Sequence, residues 1–307
     1  MKYLILFIVS ISILVSNNAI AWNAQGHRTV ASVAYKQLTK EEQAFCDKIL
    51  QSHPYYSKWK TAYKSSFGLS FEEFAFLSAA TWPDEVRSGP DSDKYHHANW
   101  HYITYFASFE NGVPEKPSNT APKPSIVTQI QASIIALKGD ASAEDKAISL
   151  SWLIHLIGDI HQPLHTCSLA NEQYPISEGG DRGGNKVNVK VGNYKTNLHS
   201  LWDGSLGKSN KASDSVKQAL MITQAHPKAT FVNELKIKDA NEWSLESFAL
   251  AVQKAHLDGK ISKMPGITSK SNPPELPADY TSQMKKVSEK QATLGGYRLA
   301  QAIQSLK

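Results

Sequence analysis

The stretch from Glu144 to Ile160, EDKAISLSWLIHLIGDI, constrains the fold of this chain more than any other. It opens on acidic residues, as helix N-termini favour, and is then apolar nearly all round. A helix that is apolar on every face is buried on every face, so the chain must be built around it. Inside the run stand His155 and Asp159, four apart and therefore on one helix face. A carboxylate and an imidazole buried together are costly unless a cation or close hydrogen bonds compensate. For one such pair, a satisfied hydrogen bond in the core is the common solution. Here Pro163 ends the helix, and His161 and His165 flank that end. HxxxD running into HxxxH across a helix end is a much stronger sign of a metal.

The remainder also reads mainly as helices. Residues 25–38, 71–80, 125–138, 243–257 and 281–305 carry helical apolar spacing, and Thr39 followed by Glu41 and Glu42 looks like a helix start. Lys186 to Thr196 alternates around Gly192-Asn193, which predicts one small hairpin. Residues 110–124 and 264–280 are rich in Pro, Ser and Asn and read as surface loops, with no linker between domains. The expected fold is therefore mainly α, a single helical domain over residues 22–307 with a small β-hairpin.

Composition limits the function classes. With 41% hydrophobic and 20% charged residues and a mean hydropathy of −0.37, the chain is not a multispanning membrane protein. Repeats and biased tracts are absent, which excludes fibrous or disordered architecture. A net charge of +5 is a mild bias toward anionic partners. Residues 1–21 have the form of a signal peptide: Lys2, an apolar run from Tyr3 to Val15, and Ala19-Ile20-Ala21 as a cleavage site. The run is short for a spanning anchor. Cleavage would leave Trp22 first and place the protein outside the cytosol, secreted or periplasmic and without a membrane anchor. There Cys46 and Cys167 could pair or stay free.

Further candidate ligands recur along the chain. His199 and Asp203, in Asn197-Leu-His199-Ser-Leu-Trp202-Asp203, form a second HxxxD pair, which an exposed helix start would also accommodate. Asp84 in Trp82-Pro83-Asp84 reads as a ligand or as the cap of a following helix. His101 in Trp100-His101-Tyr102 reads as a ligand or as an ordinary buried histidine. A free α-amine and carbonyl at Trp22 could chelate a metal, with His27 close behind. Histidine nitrogen and carboxylate oxygen without thiolate is the catalytic zinc palette, whereas a structural zinc often takes cysteine. Cys167, two residues after His165, is expected to be a small buried thiol. The adjacent pair His96-His97 reads as surface.

Taken together, Trp22, WPD at 82–84, WHY at 100–102, HxxxDxHQPLH at 155–165, GGDRGGN at 179–185 and NLHxxWD at 197–203 resemble the S1/P1 nuclease family. The matching motifs run from Trp22 to Asp203 in order. The resemblance implies a helical fold with three zinc ions. It also implies hydrolysis of single-stranded DNA and RNA to 5′-phosphate products, and removal of 3′-phosphates from nucleotides. One zinc would be held by Asp84, His101, His155 and Asp159. A second would take the amine and carbonyl of Trp22, His27 and a bridging Asp159. The third would take His165, His199 and Asp203, with His161 behind the ligands.

Asp84, Arg87 and Asp159 would serve catalysis, Arg87 near the phosphate. Tyr102 would stack on a base, and Gly184 and Asn185 would touch it. Three divalent ions against three aspartates leave such a cluster cationic, which suits a phosphodiester. Some family members carry Asp where this chain has Thr104, which leaves base preference open. The absence of any Asn-x-Ser/Thr site fits a bacterial periplasmic or secreted version, and a monomer is expected. A zinc phospholipase C shares the ligand spacing but tends to end it with HxxxE rather than HxxxD. A non-catalytic zinc-binding protein would usually expose its histidines.

Overall fold

A computed structural model describes residues 22–65, 68–109 and 123–307. The expected signal peptide and most of the 110–124 loop lie outside them. Eleven α-helices are found among the described residues: α1 (Ala24–Gln37), α2 (Lys40–Leu50), α3 (Tyr56–Ala62), α4 (Phe71–Glu85), α5 (Ser92–Tyr95), α6 (Ile126–Lys138), α7 (Ala143–Asp159), α8 (Leu198–Asp203), α9 (Ala212–Ala225), α10 (Ala240–Leu250) and α11 (Tyr280–Gln304). Four short strands accompany them: β1 (Tyr105–Ala107), β2 (Cys167–Leu169), β3 (Asn188–Val191) and β4 (Tyr194–Asn197). The molecule is mainly α. No helix among the described residues is long and apolar enough to cross a membrane.

Helix α7 is the axis of the core. Every residue from Leu150 to Asp159 is buried, and α1, α2, α4, α6 and α11 all pack against it. The helices start where side chains can cap them. Asn23 accepts from the backbone N–H groups of Gln25 and Gly26, and Thr39 forms a capping box with Glu42. Ser125 and Ser142 cap α6 and α7. Helix α7 stops at Asp159, and Pro163 opens a 3-10 turn over Pro163–His165.

Three features depart from the sequence pattern. Helix α4 runs on through Pro83 to Glu85, so Asp84 sits in its last turn and caps no later helix. The segment 264–280 is more than a surface loop: Ile267 and Leu276 are buried, the Lys190 N–H of β3 donates to the Pro274 carbonyl, and the Leu276 N–H donates to the Lys190 carbonyl. The third is a parallel pairing of β1 with β2, Tyr105 opposite Cys167, which the sequence did not announce.

The two small sheets matter because they place ligands. Next to the β1–β2 pairing, the N–H of Ile103 donates to the carbonyl of His165 at 3.0 Å. That contact ties the Trp100–Tyr102 segment to the end of α7. The hairpin of β3 and β4 turns at Gly192-Asn193, where Gly192 has φ +57°. It delivers the chain to α8, whose N-cap Asn197 accepts from the Ser200 N–H at 2.7 Å.

Candidate metal centre

Each ligand-bearing segment is aimed by its own local structure. His155 and Asp159 project from one face of α7, and Asp84 comes from the last turn of α4. His27 lies one turn into α1. The start of α1 is pinned at two places. Trp22 is fully buried and its indole N–H donates to the Gly158 carbonyl at 2.9 Å, while the Asn23 N–H donates to the Asp203 carbonyl at 3.3 Å. Trp22 thus sits against α7 and the end of α8, beside the ligands.

Three groups of potential ligand atoms result. They are His27, His155 and Asp159; Asp84, His101 and His155; and His165, His199 and Asp203. Within each, the atoms lie within 4.8 Å of one another. Asp159 joins the first two. Its Oδ1 is 3.2 Å from His27 Nε2, and its Oδ2 is 3.0 Å from His155 Nε2 and 3.1 Å from His101 Nδ1. Asp84 closes the group from the other side, 3.8 Å from His27 and 3.9 Å from both His101 and His155. In the third group His199 Nε2 is 3.6 Å from Asp203 Oδ2.

The hydrogen bonds behind these atoms fix which nitrogen is free. Carbonyl oxygens can only accept, so the ring nitrogen facing one must carry the proton. His155 Nδ1 donates to the Ala80 carbonyl at 2.8 Å, His165 Nδ1 to His101 at 2.7 Å and His199 Nδ1 to Gly183 at 2.7 Å. In all three the Nε2 lone pair is left facing the ligand group, the arrangement metal-binding histidines use. Asp203 Oδ1 accepts from the Gln162 side chain at 2.7 Å, which orients its other oxygen toward His199.

The donor set fits a cation. His27 Nδ1 and Nε2, Asp159 Oδ1 and His165 Nε2 are buried without a hydrogen-bond partner. Burial holds His27, His101 and His165 well below the usual imidazole range and pushes His199 down to about 4. Burial also raises Asp84 to about 7 and drives Asp159 and Asp203 well above the usual carboxylate range. Neutral histidines with outward lone pairs, beside carboxylates that cannot stay charged alone, are what a divalent cation would satisfy. Nitrogen and oxygen donors without thiolate suit zinc.

Members of the second and third groups open onto a cleft of about 420 Å³, whereas His27, His155 and Asp159 are buried and do not line it. Asp84, Arg87, His101, Tyr102, Thr104, His165, Asn185 and His199 line it, so most of the residues singled out in the sequence converge there. Tyr102 is 43% exposed, which sets it apart from a core aromatic. Its hydroxyl donates to Asn99 at 3.0 Å. Gly183 lines the cleft, whereas Gly184 is buried beneath, against Leu198 and Leu164. Cys167 lines the cleft as well, buried and unpaired, as is Cys46; burial pushes its thiol well above the usual range.

Two expectations need correction. His96 is not a surface residue: it is half-buried and lines the cleft. His161 does not stand behind the ligands. Its Nδ1 donates to Ile157, and its Nε2 faces the buried guanidinium of Arg298 at 3.0 Å, which in turn pairs with Glu246. Two residues on from Asp159, His161 has passed to the far side of the chain and clamps α11 instead. Arg182 and Thr104 are further cleft residues, the first carried by the Gly179–Asn185 loop.

The chain is 26% identical to nuclease P1 of Penicillium citrinum, over 93% of this chain and 97% of that protein. It is 26% identical to endonuclease 4 of Arabidopsis thaliana, over 94% and 89% of the two chains. Against nuclease S1 of Aspergillus oryzae the identity is 24%, over 91% and 89%. The S1/P1 nuclease family model matches residues 22–307. The chain therefore belongs to the S1/P1 nuclease family and is a hydrolase acting as a nuclease.

Proposed function

We propose that this chain is a zinc-dependent phosphodiesterase that cleaves single-stranded DNA and RNA to 5′-phosphate products and removes 3′-phosphates from nucleotides. The observation that carries the reading is Asp159. This fully buried carboxylate directs its two oxygens at two different histidine groups, which is the geometry of a bridge between two cations. Three zinc ions, one for each ligand group, would supply Lewis acidity and a water of lowered pKa. Trp22, His27, Asp84, His101, His155, Asp159, His165, His199 and Asp203 would hold them.

The protein's own side chains would do the rest. Arg87, three residues after Asp84 and lining the same cleft, would stabilise charge on the non-bridging phosphate oxygens. Tyr102, exposed at the cleft, offers a face to a base, and Asn185 an amide to the base edge. A base can stack on Tyr102 only once it is out of a duplex, which favours single strands. The excess of basic residues aids the approach of a polyanion.

In the same reading, cleavage after Ala21 releases a monomer into the periplasm or the medium. The test assays single-stranded DNA, RNA and a phosphatidylcholine, with and without a zinc chelator. Chelator-sensitive release of 5′-phosphate products without lipid cleavage is expected. Lipid cleavage without nucleic-acid cleavage would overturn the reading.

A further inference from the structure

The loop Gly179–Asn185 holds one residue in a conformation that a glycine-rich turn would not require. Gly179, Gly180, Gly183 and Gly184 all have positive φ, between +63° and +83°. Arg182 stands among them at φ +56°, a left-handed conformation that costs a non-glycine side chain energy. Glycine fills the other four left-handed positions; the fifth keeps a long cation.

The loop is anchored from beneath by Asp181. Its buried carboxylate accepts from the Leu169 N–H at 2.9 Å and from Ser168 Oγ at 3.1 Å, and its other oxygen lies 3.7 Å from the buried His256 ring. The Arg182 N–H donates to Ser168 Oγ at 3.0 Å, and its carbonyl accepts from Asn185 Nδ2 at 2.8 Å. The backbone of Arg182 is therefore held on both sides, and the side chain is left to the solvent and the cleft, which it lines.

Among the described residues, the guanidinium has no carboxylate partner. Glu178 gives its carboxylate to Lys186 at 3.1 Å and only its backbone carbonyl to Arg182 Nε, at 3.4 Å. Among the described residues, no hydrogen bond or ion pair engages the two terminal nitrogens. Arg182 adjoins Gly183, whose carbonyl holds His199, so it enters from the side of the His165–His199–Asp203 group. Arg87 enters from beside Asp84. The cleft thus has a cation at each of two separate ligand groups, and a single scissile phosphate needs only one of them.

Resting on the nuclease reading above, the geometry points to Arg182 as the residue that binds the phosphate flanking the scissile one. It would thereby favour polynucleotides over substrates with a single phosphate. Planar guanidinium donors suit a phosphate diester.

The test compares a single-stranded oligonucleotide with a dinucleoside monophosphate, which has no flanking phosphate, for wild type, Arg182→Gln and Arg182→Lys. For Arg182→Gln, kcat/KM on the oligonucleotide is expected to fall about tenfold further than on the dinucleoside monophosphate. The loss should appear in KM, and the log–log salt slope for the oligonucleotide should flatten by about 0.7. Arg182→Lys should recover part of the preference. Arg182→Gly is expected to lose the preference while melting no lower than wild type, because glycine relaxes the left-handed backbone. Equal losses on both substrates, or an unchanged salt slope, would overturn the proposal. Wild-type protein that cleaves neither substrate would overturn the nuclease reading and this inference with it.

Discussion

Gly158→Ala places one methyl group where fold and metal centre make opposite demands. Gly158 lies in the last turn of α7, between His155 and Asp159. A Cβ there would stand 2.9 Å from His27 Nδ1 and 3.4 Å from its Cε1. Helix propensity alone favours alanine by about 0.8–1.0 kcal/mol. Overpacking costs about 1–3 kcal/mol, so the net loss of stability is about 0–2 kcal/mol and the fold survives. The His27 ring must then retreat by about 0.5 Å to reach ordinary contact. It stacks on His155 with ring centroids 3.9 Å apart, so it cannot retreat without disturbing a second ligand. A misplacement of about 1 Å costs on the order of a hundredfold in rate, so a half-ångström shift is expected to cost about tenfold in kcat. The assay is kcat on a single-stranded oligonucleotide, together with zinc content and a melting curve in chelator. Wild-type kcat and zinc content in a folded Gly158→Ala protein would refute the placement of His27 at the centre.

Four further outcomes are expected. Gln162→Leu removes the donor to Asp203 Oδ1 and should weaken zinc binding about 10–100-fold, read by competition with a chromogenic chelator. Tyr102→Ala should raise KM for a single-stranded oligonucleotide by the equivalent of about 1–3 kcal/mol and leave the melting temperature unchanged, since the ring is 43% exposed. His53, packed between Trp59 and Trp82, is pushed by burial down to about 3. It stays neutral in the fold and protonates on unfolding, so stability falls as pH drops from about 6.5 toward 3, by up to about 1.4 kcal/mol per pH unit. His53→Asn should flatten that slope in pH-dependent urea melts. Protein carrying extra residues before Trp22 should bind less zinc than protein that begins at Trp22, and equal metal content in the two would show that the terminal amine is not a ligand.

What could be read in the sequence was what local geometry controls. The ligand pairs His155 with Asp159 and His199 with Asp203 lie four apart on helices, so one turn of backbone brings each together whatever the rest of the chain does. Helix α7 announced its burial because no face was polar. The two pairs meet through contacts that no spacing reveals. The parallel pairing of Tyr105 with Cys167 joins strands of three residues, too short for a periodic pattern, yet it brings the carbonyl of His101 onto His165. His96 was misjudged because an adjacent histidine pair carries no sign of which element will fold over it. His161 was misjudged for the opposite reason: it shares a motif with ligands, but its position relative to Asp159 turns it onto Arg298, a partner 137 residues away. In the glycine loop the sequence marked a turn. Only the packing of the folded chain shows that Gly183 faces the cleft while Gly184 packs beneath it.

The central claim is that the three His–Asp groups hold zinc ions on which cleavage of single-stranded nucleic acid depends. The most direct test strips the protein with a chelator, verifies the loss by metal analysis, and adds zinc back in measured equivalents while following cleavage of a single-stranded oligonucleotide. Activity is expected to vanish in the stripped protein and to return with added zinc, levelling off at three equivalents with 5′-phosphate ends on every product. Undiminished cleavage by protein shown to be free of metal would contradict the account.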